Sequence, residues 1–179
     1  GLLHSFYCWG TAGVILISTA FFVVFGTSAW RVMAMLWAAV PLFNIFLFAK
    51  VPIAPMASGE EHGGFWGLLR FRVIWIILIM MMASGAAELS MSQWASAFAE
   101  RGLGVSKAIG DMAGPFMFAI LMGIGRVMYS VLVKRVSMLK YMIVSALLCI
   151  AAYLITALSK NPVLALAGCG LVGLSVGVF

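Results

Sequence analysis

Apolar residues fill this chain in long blocks, and polar residues fall mostly at the seams between them. A helix needs about 20 apolar residues to cross a hydrocarbon core of about 30 Å. Six blocks reach or approach that length: Leu2 to Phe25, Trp30 to Phe48, Val73 to Phe98, Ile109 to Val133, Met138 to Leu158, and Pro162 to Phe179. Gly26-Thr27-Ser28 turns the chain after the first block, and Pro41 lies inside the second. Runs this long exclude a transmembrane barrel, whose strands alternate over about ten residues. The pattern therefore predicts an all-α polytopic membrane protein with six spans.

One long polar stretch interrupts the blocks, from Lys50 to Arg70. It holds Pro52, Pro55, Ser58, Gly59, Glu60, Glu61, His62, Gly63 and Gly64. Proline and glycine at this density break helices and mark a linker. Residues 1–49 are then expected to end one helical bundle, 50–70 to be the linker, and 71–179 to begin a second bundle. Phe65 to Leu69 is expected to form a short interfacial helix, with Trp66 at headgroup depth.

Composition agrees with the pattern. The 179 residues are 65% hydrophobic and 9% charged, with a mean hydropathy of +1.17, whereas soluble domains carry about 25% charged residues. The formal charge of +6 comes from 11 basic residues scattered singly and in pairs. That scatter suits topology determinants and not a nucleic-acid surface. Lys50, Arg70, Arg72, Lys134, Arg135 and Lys140 would share one side of the membrane, against Arg31, Arg101, Lys107 and Lys160 on the other. The bias places linker 50–70 and loop 134–140 in the cytoplasm. Cys8, Cys149 and Cys169 have no metal-like spacing and read as small buried hydrophobes. The chain starts without Met and stops inside an apolar run, so a fragment of a longer protein is expected.

Glu88, Asp111 and Arg126 lie in or against the third and fourth blocks, where charges are rare and face a bundle interior or water. Glu88 shares a helix face with Met81, Ser84, Gly85, Met91, Ser92 and Ala95, a face too small and polar for lipid. It is a candidate proton carrier or solute ligand, because burial raises a carboxylate's proton affinity and hydration or a bound solute lowers it. A structural hydrogen bond to a neighbouring helix is the alternative. Gln93 and Trp94 follow: an amide with donors and an acceptor, and an indole with a flat apolar face, which together suit a sugar or polyol. Trp94 also fits an interfacial aromatic belt.

Asp111 complements the dipole of a helix that Ser106 can cap. Gly110 and Gly114 permit close helix approach there, and Pro115 can bend the helix. Arg126 follows Gly123 and Gly125, so a packed face is expected around it. It either snorkels to headgroups or makes a gating ion pair with another helix. His4, Ser5, Tyr7 and Thr11 form a polar stripe that could line a cavity, and Asn44 is a solitary polar residue in the second block. Gly168, Gly170, Gly173 and Gly177 fall at close-packing intervals. HExxH, the GK[ST] phosphate-binding loop and CxxC are absent from the sequence. No enzyme activity, cofactor or metal is expected.

Two helices, a linker, then a bundle whose second helix ends in GRVMYSVLVKRVSMLK resembles the major facilitator superfamily over about helices five to ten of twelve. Arg126, Lys134 and Arg135 resemble its basic cytoplasmic signature, although no acidic residue stands between Gly125 and Arg135. LLHSFYCWGTAG resembles the start of helix five in the fucose/glucose–proton symporter group. AAELSMSQWASAFAERGLGVSKAIGDMAGPFMFAILMGIGR resembles helices seven and eight of that group. Gly10 and Gly13 are followed by no proline of the kind found in drug–proton antiporters.

The resemblance implies a partial twelve-helix fold in a bacterial cytoplasmic membrane, monomeric as the full-length protein. It implies alternating access and symport of a small solute, such as a sugar, with protons. Glu88, Gln93, Trp94, His4, Tyr7 and Asn44 would serve solute or proton, and Asp111, Arg126, Lys134 and Arg135 gating or helix tethering. A carrier of small organic anions is a rival, disfavoured by the scarcity of cationic groups in the spans. A membrane enzyme or assembly protein is another, and it lacks a visible catalytic cluster.

Overall fold

The computed structural model describes residues 2–52, 65–132 and 135–177. It is all-α, with no strand among the described residues. Helix α1 spans Leu2–Phe25 and α2 spans Trp30–Lys50, joined through Gly26 and a single 3-10 turn, Thr27–Ala29. Gly26 takes φ 78°, a conformation only glycine adopts without strain. Helix α3 is the short segment Phe65–Leu68, α4 spans Arg72–Leu103, and α5 spans Lys107–Asp111. A π-helical turn, Met112–Phe116, joins α5 to α6, Met117–Leu132. Helices α7, Met138–Leu158, and α8, Pro162–Val176, follow.

Five apolar stretches are long enough to cross a bilayer: Leu3–Phe25, Thr27–Lys50, Arg72–Leu103, Lys107–Leu132 and Met138–Leu158. The sixth expected span corresponds to α8, described over 15 residues. Its start is well defined: Asn161 Oδ1 accepts from the Val163 amide at 2.9 Å, and Pro162 occupies the first helical position, where its missing N–H costs nothing. Helix α4 runs further than its apolar block, to Leu103, because Ala99 to Gly102 continue the helix although Glu100 and Arg101 are charged. Gly104 then reverses the chain at φ 69°, and the Val105 amide closes the helix end on the Ala99 carbonyl at 3.2 Å.

The chain divides into two compact units. One comprises Phe21–Met80; among its described residues Met33 is buried, and almost every large apolar side chain of α2 is exposed. The other comprises Gly1–Ala20 with Met81–Phe179. Its core joins Cys8 of α1, Met91 and Ala95 of α4, Phe118 and Met122 of α6, Ala152 of α7, and Cys169, Val172 and Val176 of α8. The first part of α1 thus packs with the later helices of the chain.

Helix α8 sits at the centre of this unit because glycine lets backbones meet. A Cβ on Gly125 would stand 2.7 Å from the Leu174 carbonyl oxygen, and one on Gly177 2.6 Å from the Met122 carbonyl oxygen. Thr156 Oγ1 completes the α7–α8 hairpin, donating to the carbonyls of Ala152 (3.0 Å) and Ala165 (3.3 Å).

Candidate functional site

Glu88 lies 16 residues after the start of α4 and 15 before its end, about 24 Å from either terminus at 1.5 Å per residue. Neither end of α4 is near enough to stabilise its charge, so partners on other helices matter. Arg126 supplies one: its Nη2 stands 3.8 Å from Glu88 Oε2. The two side chains are 14% and 22% exposed, respectively, so both are largely withdrawn from solvent.

Three more contacts hold the guanidinium. Nη1 donates to the His4 carbonyl oxygen at 2.9 Å, Nη2 approaches Met122 Sδ at 3.9 Å, and the guanidinium carbon lies 5.6 Å from the centre of the Tyr7 ring. A planar fork with donors along its edges and a cationic face can serve a carboxylate, a carbonyl and an aromatic ring together; a lysine cannot. Gly123 makes this convergence possible. A Cβ there would lie 3.3 Å from Cys8 Cβ and 3.4 Å from the Trp9 ring, so α1 comes close to α6 one turn before Arg126. Gly125 does the same for α8. The Tyr153 hydroxyl of α7 donates to the Ala87 carbonyl at 2.7 Å, adjacent in sequence to Glu88.

A second polar layer joins the same helices. Asp111, 13% exposed, accepts from Ser96 Oγ of α4, from Thr19 Oγ1 of α1 at 3.4 Å, and from Lys107 Nζ at 3.3 Å. Ser106 caps α5 by accepting from the Ile109 amide at 3.4 Å, as its position before the helix implies. Helix α1 passes from Arg126 at residue 4 to Asp111 at residue 19, and α4 from Arg126 at residue 88 to Asp111 at residue 96. Both therefore run antiparallel to the 111–126 segment, and the three are tied at two levels.

The candidate residues separate on this geometry. Glu88, Arg126 and Tyr7 converge, as does His4, which contributes its carbonyl; its imidazole has no described part in the cluster. Gln93 and Trp94 lie about 140° and 240° around α4 from Glu88. Both are exposed, Trp94 by 68%, so the structure does not bring them to the Glu88 cluster. Asn44 is exposed on α2 in the other compact unit, and Arg135 is exposed just after α6. Lys134 and His62 lie outside the described residues.

Sequence reasoning missed Ser96, Thr19 and Tyr153 as partners. Ser96 was accessible to it: Ser84, Glu88, Ser92 and Ser96 recur every four residues along one face of α4. Thr19 and Tyr153 carry no such local signal, since each acts on a helix distant in sequence.

Chemically, the Glu88–Arg126 cluster is a carboxylate whose charge is balanced by one guanidinium that is simultaneously engaged by a second helix. Adding a proton to Glu88 would remove the electrostatic bond and leave Arg126 on the His4 carbonyl and the Tyr7 ring. Among the described residues no group of three His, Cys, Asp or Glu side chains is placed to hold a metal ion. Comparison with protein-family models, with curated proteins and with solved structures finds no match for this chain.

Proposed function

We propose that this chain is part of a bilayer-embedded transporter that carries a small polar solute, such as a sugar, by alternating access with proton symport. Its resemblance to the major facilitator superfamily would make it about half of a twelve-helix protein in a bacterial cytoplasmic membrane. The segments 50–70 and 134–140 would then face the cytoplasm.

The observation that carries the reading is the Glu88–Arg126 pair. A carboxylate in the middle of a 32-residue apolar helix is costly to maintain unless it has work that a neutral residue cannot do. Under the resemblance, α1 belongs to one bundle and α4 and α6 to the other. Arg126, which holds Glu88 on α4 and the His4 carbonyl on α1, would then connect the moving halves. Protonation of Glu88 would change what holds Arg126, which gives proton binding a route to the contact between bundles. Gln93 and Trp94 would meet a solute only from the exposed face of α4.

The test is uptake by the full-length protein in proteoliposomes. Labelled neutral sugars should accumulate when the interior is made alkaline relative to the outside, and the accumulation should collapse on adding a protonophore. Accumulation of small organic anions with no sugar uptake would replace the solute assignment. Solute flux indifferent to the protonophore would refute proton coupling.

A further inference from the structure

The stretch between Gly104 and Met117 departs from regular helix in a way the transport reading does not use. Helix α5 is one short segment, Lys107–Asp111. It is bounded on one side by the positive-φ Gly104 and on the other by the π turn Met112–Phe116, in which the Met117 amide reaches back to the Met112 carbonyl. Pro115 accounts for the wide turn. It has no N–H to offer the Asp111 carbonyl, and in an α turn its ring would press against that carbonyl.

The contacts of this segment with α4 are close and made by small residues. A Cβ on Gly110 would lie 3.2 Å from Ala99 Cβ, and one on Gly114 3.1 Å from Ala95 Cβ. Glycine against alanine gives close approach without interlocking side chains. Packing alone therefore offers little resistance to a sliding or tilting motion. Besides the close packing of buried Gly110, Gly114 and Pro115, polar contacts hold the segment: Asp111 accepts from Ser96 of α4 and from Thr19 of α1, with Lys107 balancing its charge. The carboxylate sits at the last residue before the π turn, where a small rotation about that turn displaces it most directly.

We propose that residues 107–111 form a hinged tip that pivots about the Pro115 π turn, and that Asp111 is the catch holding it closed on Thr19 and Ser96. The catch ties α1 to the 107–132 stretch at the opposite end from Arg126. In a closed tip α1, α4 and α5 move together; with the catch open, α5 moves alone. This inference does not require the solute or the coupling ion assigned above, because the motion is measurable with no substrate present.

Backbone hydrogen exchange of the full-length protein in lipid nanodiscs, read by mass spectrometry, tests it. In the wild type, amides of 107–113 should exchange faster than those of 118–126. Asp111→Ala should speed exchange in 107–113 by about ten-fold or more, the consequence of losing hydrogen bonds to a charged acceptor, and leave 118–126 unchanged. Thr19→Val, which removes one donor and leaves the tip sequence intact, should speed it by about three-fold and serves if Asp111→Ala does not fold. Pro115→Ala restores a backbone donor and should slow exchange in the tip by about five-fold. The proposal is overturned if the wild-type tip exchanges no faster than 118–126. It is equally overturned if Thr19→Val leaves the tip unchanged, or if Pro115→Ala accelerates it. Transport measured in parallel on the same proteins keeps the two readings separate: normal hinge behaviour with no proton-driven uptake would refute the transport proposal alone.

Discussion

Replacing Arg126 should cost more than replacing Glu88, although each breaks the same ion pair. At 3.8 Å two unit charges attract by about 4 kcal/mol at an effective dielectric of about 20 and by about 1 kcal/mol in water. Side chains that are 14% and 22% exposed lie between these limits, so a coupling energy of about 1–3 kcal/mol is expected from a double-mutant cycle. Arg126→Met leaves the Glu88 carboxylate without a partner in a largely dry setting. That should destabilise the fold by about 2–4 kcal/mol, somewhat below the range for fully buried pairs. Glu88→Gln leaves Arg126 with the His4 carbonyl and the Tyr7 ring, and should cost about 1–2 kcal/mol. The assay is reversible unfolding in mixed detergent–lipid micelles for wild type, both single variants and the double variant. A coupling energy below about 0.5 kcal/mol, the level at which independent sites add, would refute the pairing. Equal costs for the two single variants would refute the argument from residual partners.

Two further substitutions probe the scaffold around that pair. Gly173→Val would drive a side chain into the Phe118 backbone, where α8 meets α6; it should lower stability by about 3 kcal/mol or more, seen as a fall in melting temperature or a loss of folded protein. Melting unchanged from wild type would show that α6 and α8 are not packed through Gly173. Tyr153→Phe removes the hydroxyl that holds the Ala87 carbonyl. It should cost about 0.6–1 kcal/mol, because the helix still occupies that carbonyl's other lone pair, and a melting curve in the same micelles would detect it.

Helix positions were legible because hydrophobic length is a one-dimensional signal. The first and fifth blocks, Leu2 to Phe25 and Met138 to Leu158, coincide with α1 and α7. The third block ends short of α4, since Glu100 and Arg101 lower hydropathy without stopping a helix. Pro115 marks a place where the chain can bend, but a π turn depends on which carbonyl the next free amide finds, and sequence does not specify that.

The candidate site was legible only in its members. Glu88 and Arg126 each stood out as a charge among apolar residues, and glycines 123 and 125 signalled a packed face around the arginine. That the two charges meet requires knowing that α4 and α6 are adjacent in register, a tertiary fact. Asp111 illustrates the opposite limit. Its place at a helix start supplied a sufficient local explanation, and the hydroxyls of Thr19 and Ser96, which make it a three-helix junction, were hidden by that sufficiency. Gln93 and Trp94 were attractive for their chemistry, yet the helical rotation from Glu88 carries both to an exposed face.

The most direct test of the central claim is proton-driven solute uptake in vesicles carrying Glu88→Gln in the full-length protein. The amide keeps the shape of the side chain and removes its charge and its exchangeable proton. Accumulation driven by a pH gradient should be lost while exchange of labelled for unlabelled solute persists. Uptake by Glu88→Gln that still follows the pH gradient would contradict that claim.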